Sequence, residues 1–282
     1  MLKQRIITAV LLLALLLPAL FWSSPWPFAG VVLVLLAAGA WEWGRLNGLS
    51  QPGAFACAAA CLGLCLLSWS AGWVGQALPL LWLGVSALWV LGGAWVLRRG
   101  VAGWPAIPQS ARVAGGVMAL WLAWLAVAQA RAVGINFLLS IFVLVWVADV
   151  AAYFAGRAFG LRWTQRRLAP AISPGKSWEG VWGGMAAVLV LALSWRQADA
   201  AWQAQVPSLY TALAGHGLGL MALAVLFLAA MSVAGDLIES LVKRSAGAKD
   251  SSRLLPGHGG VLDRVDALLP TLPLAMMLHS LS

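Results

Sequence analysis

The chain contains only nine acidic residues, and seven of them, Asp149, Glu179, Asp236, Glu239, Asp250, Asp263 and Asp266, flank or occupy two connections rich in Gly, Pro and Ser. Glu42 and Asp199 are the other two. Asp236 is followed by Glu239, Ser240 and Lys243 at helical offsets, which places the four side chains within an arc of about 100°. Asp263 and Asp266 lie three residues apart where an apolar run begins, so they share a face as well. With Asp236 they offer hard oxygen ligands of the kind that suits Mg²⁺, which keeps waters and bridges one or two carboxylates to substrate phosphates. The competing reading pairs these acids with Arg244, Lys249 and Arg264 in a purely structural role, which explains one acid more readily than the whole cluster.

The glycine-rich connections are the second ingredient. In LLPGHGGVLDR, Pro256, Gly257, Gly259 and Gly260 let the backbone turn sharply, and successive amides there can cradle an anion. His258 has no second histidine at ligand spacing, which argues against zinc and for a hydrogen-bonding role within the loop. In SPGKSWEG a helix starts at Ser173 and Pro174 or else at Ser177; either start sets free amides and the Lys176 ammonium where a phosphate can rest. Gly175, Lys176 and Ser177 resemble the end of a P-loop, but Pro170 stands where that pattern needs glycine and no strand is expected before it.

What positions these groups is a set of apolar segments. Of 282 residues, 62% are hydrophobic and 10% charged, against roughly 25% charged in a soluble domain. The mean hydropathy is +0.88, and the chain belongs in a bilayer. Apolar runs fall at about 6–22, 26–43, 53–71, 77–97, 113–130, 134–156, 178–195, 215–242 and 262–281. Each is read as helical, because a segment alone in lipid must satisfy its own backbone hydrogen bonds. The first, after MLKQR, is read as a retained helix rather than a cleaved signal. Cys57, Cys61 and Cys65 share one side of a helix and are read as small packing residues.

The net charge of +9 does not point to nucleic acid, since the basic residues are strung between apolar runs instead of gathered on a soluble face. With a cytoplasmic N-terminus, only Arg131 and Arg196 of the 18 basic residues fall outside, as the positive-inside rule demands. The fold class expected is therefore all-α, a polytopic integral membrane helical bundle of about nine transmembrane helices with its N-terminus cytoplasmic. The connections 157–177 and 243–262 then face the cytoplasm. Asp236 lies roughly 10 Å before Lys243 and Asp149 roughly 12 Å before Arg157, in one layer beneath that surface. A carboxylate at such depth faces a cavity or a partner, because burying it in lipid costs about 2.5 to 3.5 kcal/mol at the helix centre. The connection 196–214 carries Arg196 and Asp199, and no chemistry is read in it.

The segment SLVKRSAGAKDSSRLLPGHGGVLDRVD, from Ser240 to Asp266, resembles the C-terminal hallmark of the phosphatidate cytidylyltransferases, also called CDP-diacylglycerol synthases. ADVAAYFAGRAFG around Asp149, SPGKSWEG around Lys176 and GDLIES around Asp236 resemble further blocks of that family, so the likeness spans roughly 149–266. The resemblance implies transfer of CMP from CTP to phosphatidate with a divalent metal such as Mg²⁺, in a bacterial inner membrane, and it admits a homodimer. It implies N-terminal transmembrane helices over 1–130 and a C-terminal catalytic transmembrane region over 131–282. By the same likeness Asp236 and Asp263 match the metal-binding acids, while Lys176, Lys243, Arg244 and Lys249 match basic positions of the phosphate region. Asp250 and Arg264 complete the catalytic candidates. Substrate-binding candidates are Ser173, Gly175, Lys176, Ser177, Gly257, His258, Gly259 and Gly260, with Asp149, Glu179, Glu239 and Asp266 in secondary roles. Three rivals stand beside this reading: a cation-coupled transporter using Asp149 and Asp236, a non-catalytic assembly scaffold, and a related transferase acting on an isoprenoid-ether lipid phosphate.

Overall fold

A computed structural model describes residues 2–281. In chain order the helices are α1 (Leu2–Phe21), α2 (Trp26–Leu46), α3 (Gln51–Ser70), α4 (Pro79–Gly103), α5 (Gln109–Val133), α6 (Ile135–Phe159), α7 (Trp178–Ala201), the short α8 (Leu209–Ala214), α9 (Leu218–Ser245), the short α10 (Leu262–Val265) and α11 (Leu268–Leu281). Among the described residues eight helices, α1 to α7 and α9, are long and apolar enough to cross a membrane. The chain is a helical polytopic membrane protein.

That is one spanning helix fewer than the nine apolar runs. The ninth run, 262–281, is interrupted after α10, and α11 has 14 residues. The physical cause is Pro270, whose missing N–H leaves the Asp266 carbonyl without its helical donor. That carbonyl lies against α9, where a Cβ on Gly235 would come within 2.5 Å of it.

A second departure from the all-helical expectation lies between α6 and α7. Strand β1 (Arg167–Ala169) pairs antiparallel with β2 (Ser173–Ser177), with Arg167 opposite Ser177. Of the two helix starts read from SPGKSWEG, the structure takes the later. Ser173, Pro174, Gly175 and Lys176 are extended, and Ser177 caps α7 by accepting the Gly180 amide at 3.2 Å.

Helix α5 is the hub, with 72% of its apolar window buried against 17% for α1. Lipid tails are as apolar as leucine, so helices in a bilayer associate through close backbone packing and hydrogen bonds between them. From α5, Trp121 donates to Ser68 Oγ at 2.8 Å and Trp124 to the Ala29 carbonyl at 2.9 Å, while Gln129 accepts from Trp82 at 2.9 Å. Helices α6 and α7 meet through small residues. A Cβ on Gly180 or Gly184 would lie 2.8 Å from the Ala152 or Ala148 carbonyl, respectively.

Contacts between distant segments define the two ends of the bundle. At one end Arg5 and Thr8 of α1 donate to the Gly257 and Pro256 carbonyls, both at 2.9 Å. At the other, Arg131 donates to the Leu20 carbonyl at 2.9 Å and Asn136 to Asp199 at 2.9 Å. The start of α1 therefore shares an end with the 246–261 connection, and Arg131 lies at the opposite end, as the charge alternation requires. The Lys3 side chain, counted in that alternation, lies outside the described residues. Cys57, Cys61 and Cys65 are buried free thiols on one side of α3.

The α6–α7 contact makes a direct prediction. Gly184→Val forces a side chain against a backbone carbonyl and lowers stability by about 1–3 kcal/mol, read as the thermal midpoint of the detergent-solubilised protein. Gly63→Ala, where a Cβ meets nothing within 4 Å, leaves the midpoint unchanged.

Candidate active site

Two lysine-centred clusters occupy the α1-start end of the bundle. Lys176, carried on β2, forms an ion pair with Asp236 of α9, and Ser240, one turn on, donates to the same carboxylate at 3.2 Å. Asp149 on α6 is close enough to interact electrostatically with both Asp236 and Lys176. Lys243, two turns after Asp236, pairs with Glu239 on its own helix and with Asp263 of α10 at 2.6 Å. The clusters differ in access. The Lys176 and Asp236 side chains are 27% and 28% exposed, against 12%, 3% and 6% for Lys243, Glu239 and Asp263. The first pair is the more open of the two, and the second is nearly enclosed by the protein.

Asp263 is the organising group of its loop. Its second oxygen accepts the Ser251 amide at 2.9 Å, the Ser251 hydroxyl at 2.9 Å and the Gly260 amide at 2.7 Å. Burial raises its carboxyl, but Lys243 and these amides outweigh that and hold it below the usual carboxylate range. Asp266, just beyond α10, is pushed the other way by burial and by the charge on Asp236. The turn between them and Ser251 needs its glycines: Gly257 and Gly259 sit at φ 77 and 84, and a Cβ on Gly259 would lie 2.6 Å from Asp263.

The loop amides are less open than an anion cradle requires. The Gly260 amide serves Asp263, and the His258 amide donates to the Leu255 carbonyl at 2.8 Å. Arg264 folds back on the loop, donating twice to the His258 carbonyl at 3.0 and 2.7 Å. Arg244 reaches the Ile172 and Ala248 carbonyls at 3.4 and 3.3 Å, tying the hairpin connection to the glycine-rich one. Lys249 and Asp250 are exposed. Among the described residues Asp236, Glu239 and Asp263 are thus paired with Lys176 and Lys243, not with Arg244, Lys249 or Arg264.

Glu179 stands apart from the acidic layer. It accepts the Trp163 and Thr164 amides at 3.1 and 2.9 Å and the Thr164 hydroxyl at 3.0 Å, pinning the turn before the hairpin. Sequence reasoning assigned nothing to Glu42, yet its carboxylate is fully buried and accepts hydrogen bonds from four groups of the Ser251–Leu262 segment. The available signal was a lone acid inside an otherwise apolar run, between Trp41 and Trp43.

The sequence profile of the cytidylyltransferase family matches residues 3–282. The chain belongs to the cytidylyltransferase family. It is 40% identical to the phosphatidate cytidylyltransferase of Pseudomonas aeruginosa, over 97% of this chain and 95% of that protein. It is 37% identical to the phosphatidate cytidylyltransferase of Haemophilus influenzae, over 97% and 96% of the two chains.

For a family that handles nucleotide phosphates, the donor set suits a hard divalent cation: five carboxylates, Asp149, Asp236, Glu239, Asp263 and Asp266, gather around two lysines. Among the described residues no three His, Cys, Asp or Glu side chains converge on one point as a ready cage. That is compatible with Mg²⁺, which takes one or two protein carboxylates and completes its shell with water and phosphate.

The buried cluster predicts a stability difference. Lys243→Met leaves Glu239 and Asp263 uncompensated and costs about 3–5 kcal/mol. Lys249→Met, on the surface, changes the thermal midpoint little.

Proposed function

We propose that this chain is a phosphatidate cytidylyltransferase, which joins CTP and phosphatidate into CDP-diacylglycerol and pyrophosphate. The observation that carries the reading is the accessible Lys176–Asp236 pair beside further carboxylates at the end of a membrane bundle, in a chain whose full-length relatives bear that name. CTP dissolves in water and phosphatidate does not, so the reaction needs a site at the membrane boundary, open to both. The same boundary argument favours the cytoplasmic face of a bacterial inner membrane, because the connections at this end carry most of the basic residues.

In the reaction an oxygen of the phosphatidate phosphate, already ionised, bonds to the α-phosphorus of CTP while the bond from that phosphorus to the bridging oxygen of pyrophosphate breaks. Little covalent work falls to the protein beyond alignment and charge neutralisation. A divalent cation such as Mg²⁺, when bound, supplies neutralisation of phosphate oxygens, and Asp236 and Asp263 are the residues assigned to hold it. Lys176, on a short hairpin, turns from Asp236 toward substrate phosphate. Lys243, Arg244 and Lys249 line the same region with positive charge. Asp149, Glu239 and Asp266 fix the field around them. Gly175, Ser177 and the Gly257–Gly260 turn shape the backbone on either side. A homodimer is compatible with this arrangement, which draws every named residue from one chain.

Purified protein given labelled CTP, phosphatidate and Mg²⁺ in detergent yields lipid-linked CMP. Asp236→Asn and Asp263→Asn each lower turnover by roughly 100-fold or more while the protein still elutes as a folded species. Absence of lipid-linked CMP from the wild type overturns the reading in favour of ion transport, and preference for an isoprenoid-ether lipid phosphate in competition reassigns the acceptor. For orientation, Arg253→Cys in a chain with Cys57, Cys61 and Cys65 replaced by alanine reacts with an impermeant maleimide in inside-out vesicles and not in intact spheroplasts.

A further inference from the structure

Glu42 sits on α2, over 200 residues from the loop it touches, and has no exposed surface. A carboxylate taken wholly out of water is tolerated only with a full set of partners. Here those partners are neutral and belong to one segment. One oxygen accepts the Ser252 hydroxyl at 2.5 Å and the Val261 amide at 2.9 Å; the other accepts the Leu262 amide at 2.8 Å and the Ser251 hydroxyl at 3.2 Å. The two ends of the glycine-rich loop, Ser251–Ser252 and Val261–Leu262, are thus clamped onto one anion. Gly260 lies against both Glu42 and Ser251, with no room for a Cβ.

The clamp bears directly on Asp263. The one proton of the Ser251 hydroxyl is shared between Asp263 at 2.9 Å and Glu42 at 3.2 Å, and Leu262, whose amide Glu42 holds, directly precedes Asp263. From this we infer that Glu42 is a positioning residue for cytidylyl transfer: its buried charge sets the register of the Ser251–Leu262 loop and so the placement of Asp263 against Lys243 and the substrate phosphates. This rests on the functional reading above. The requirement is for an acceptor on both oxygens. Glutamine has the same shape, but either orientation of its amide turns an NH₂ toward the Val261 or the Leu262 N–H, donor against donor.

The test uses the full chain in detergent, with CTP and phosphatidate varied separately. Glu42→Gln is expected to lower kcat by roughly 30- to 100-fold through misplacement of Asp263, with both KM values within about threefold of wild type. Ser252→Ala alone lowers kcat by a few-fold, and adding it to Glu42→Gln adds almost nothing, because both changes release the same clamp on the loop. Hydrogen exchange at the Val261 and Leu262 amides rises in Glu42→Gln while α5 stays protected. The inference is overturned if Glu42→Gln keeps kcat within threefold, if Ser252→Ala costs the same factor in both backgrounds, or if the loss only tracks a lost folded fraction. Should Glu42→Gln not fold, Ser252→Ala decides alone, and unchanged kcat with unchanged loop exchange refutes the clamp. A wild type that makes no lipid-linked CMP yet shows the exchange contrast sinks the functional reading instead, and with it the catalytic part of the inference.

Discussion

Ionised carboxylates cannot stay unpaired in a low-dielectric interior, and the architecture of this end of the bundle follows from how each acid is satisfied. Lysine cations neutralise Asp236, Glu239 and Asp263. Neutral donors alone serve Glu42 and Glu179, which accept backbone amides and hydroxyls from a single nearby segment. The two solutions do different work. An acid satisfied by neutral donors is fixed to the backbone that satisfies it and becomes a structural pin. An acid facing a lysine on a short hairpin keeps a partner that can be exchanged for another cation without unfolding anything.

The distinction explains what could be read from the sequence and what could not. The apolar runs gave most helices within a few residues, because hydrophobic length is a property of local sequence; the run at 134–156 became α6 at Ile135–Phe159. The offsets of Asp236, Glu239 and Lys243 were legible too, since they are fixed by helix geometry, whereas the attachment of Glu179 to the Trp163–Thr164 turn and the exposure of Asp250 were not. The hairpin Arg167–Ala169 with Ser173–Ser177 was invisible, because its strands are short, contain Pro and Gly, and exist only through pairing with each other. The break before α11 was smoothed over by averaging hydrophobicity across Pro270. Glu42 was missed for the plainest reason: its partners lie at the far end of the chain, and no local pattern reports a contact of that span.

The first 130 residues, which carry little beyond hydrophobicity when read as sequence, acquire a structural role through such contacts. Arg5 and Thr8 hold the outer side of the Pro256–Gly257 turn while Glu42 holds its base. Gly257 is pressed so closely that a Cβ there would lie 2.8 Å from Arg5. A glycine-rich loop has the largest backbone entropy to lose on ordering. Anchoring it at three points on two early helices makes its conformation a property of the whole bundle, and the N-terminal helices become part of the site's scaffold instead of a passive membrane anchor.

The balance of charge at the site then constrains how a nucleotide triphosphate can approach. Asp149, Asp236, Glu239, Asp263 and Asp266 face Lys176 and Lys243, so with every acid ionised the inner cluster carries a formal negative excess, with Arg244, Lys249 and Arg264 lying outside it. A phosphate brought against those inner acids is repelled unless that local excess is reduced. Protonation of Asp266, whose carboxyl burial already favours in the neutral form, relieves part of it, and a divalent cation relieves more. On the proposed reading, cation and triphosphate each make the other's binding more favourable, and by linkage the effect is reciprocal. On that reading Lys176 is the hinge of the exchange, because the ammonium that neutralises Asp236 in the free protein becomes available to a phosphate once Asp236 has another partner.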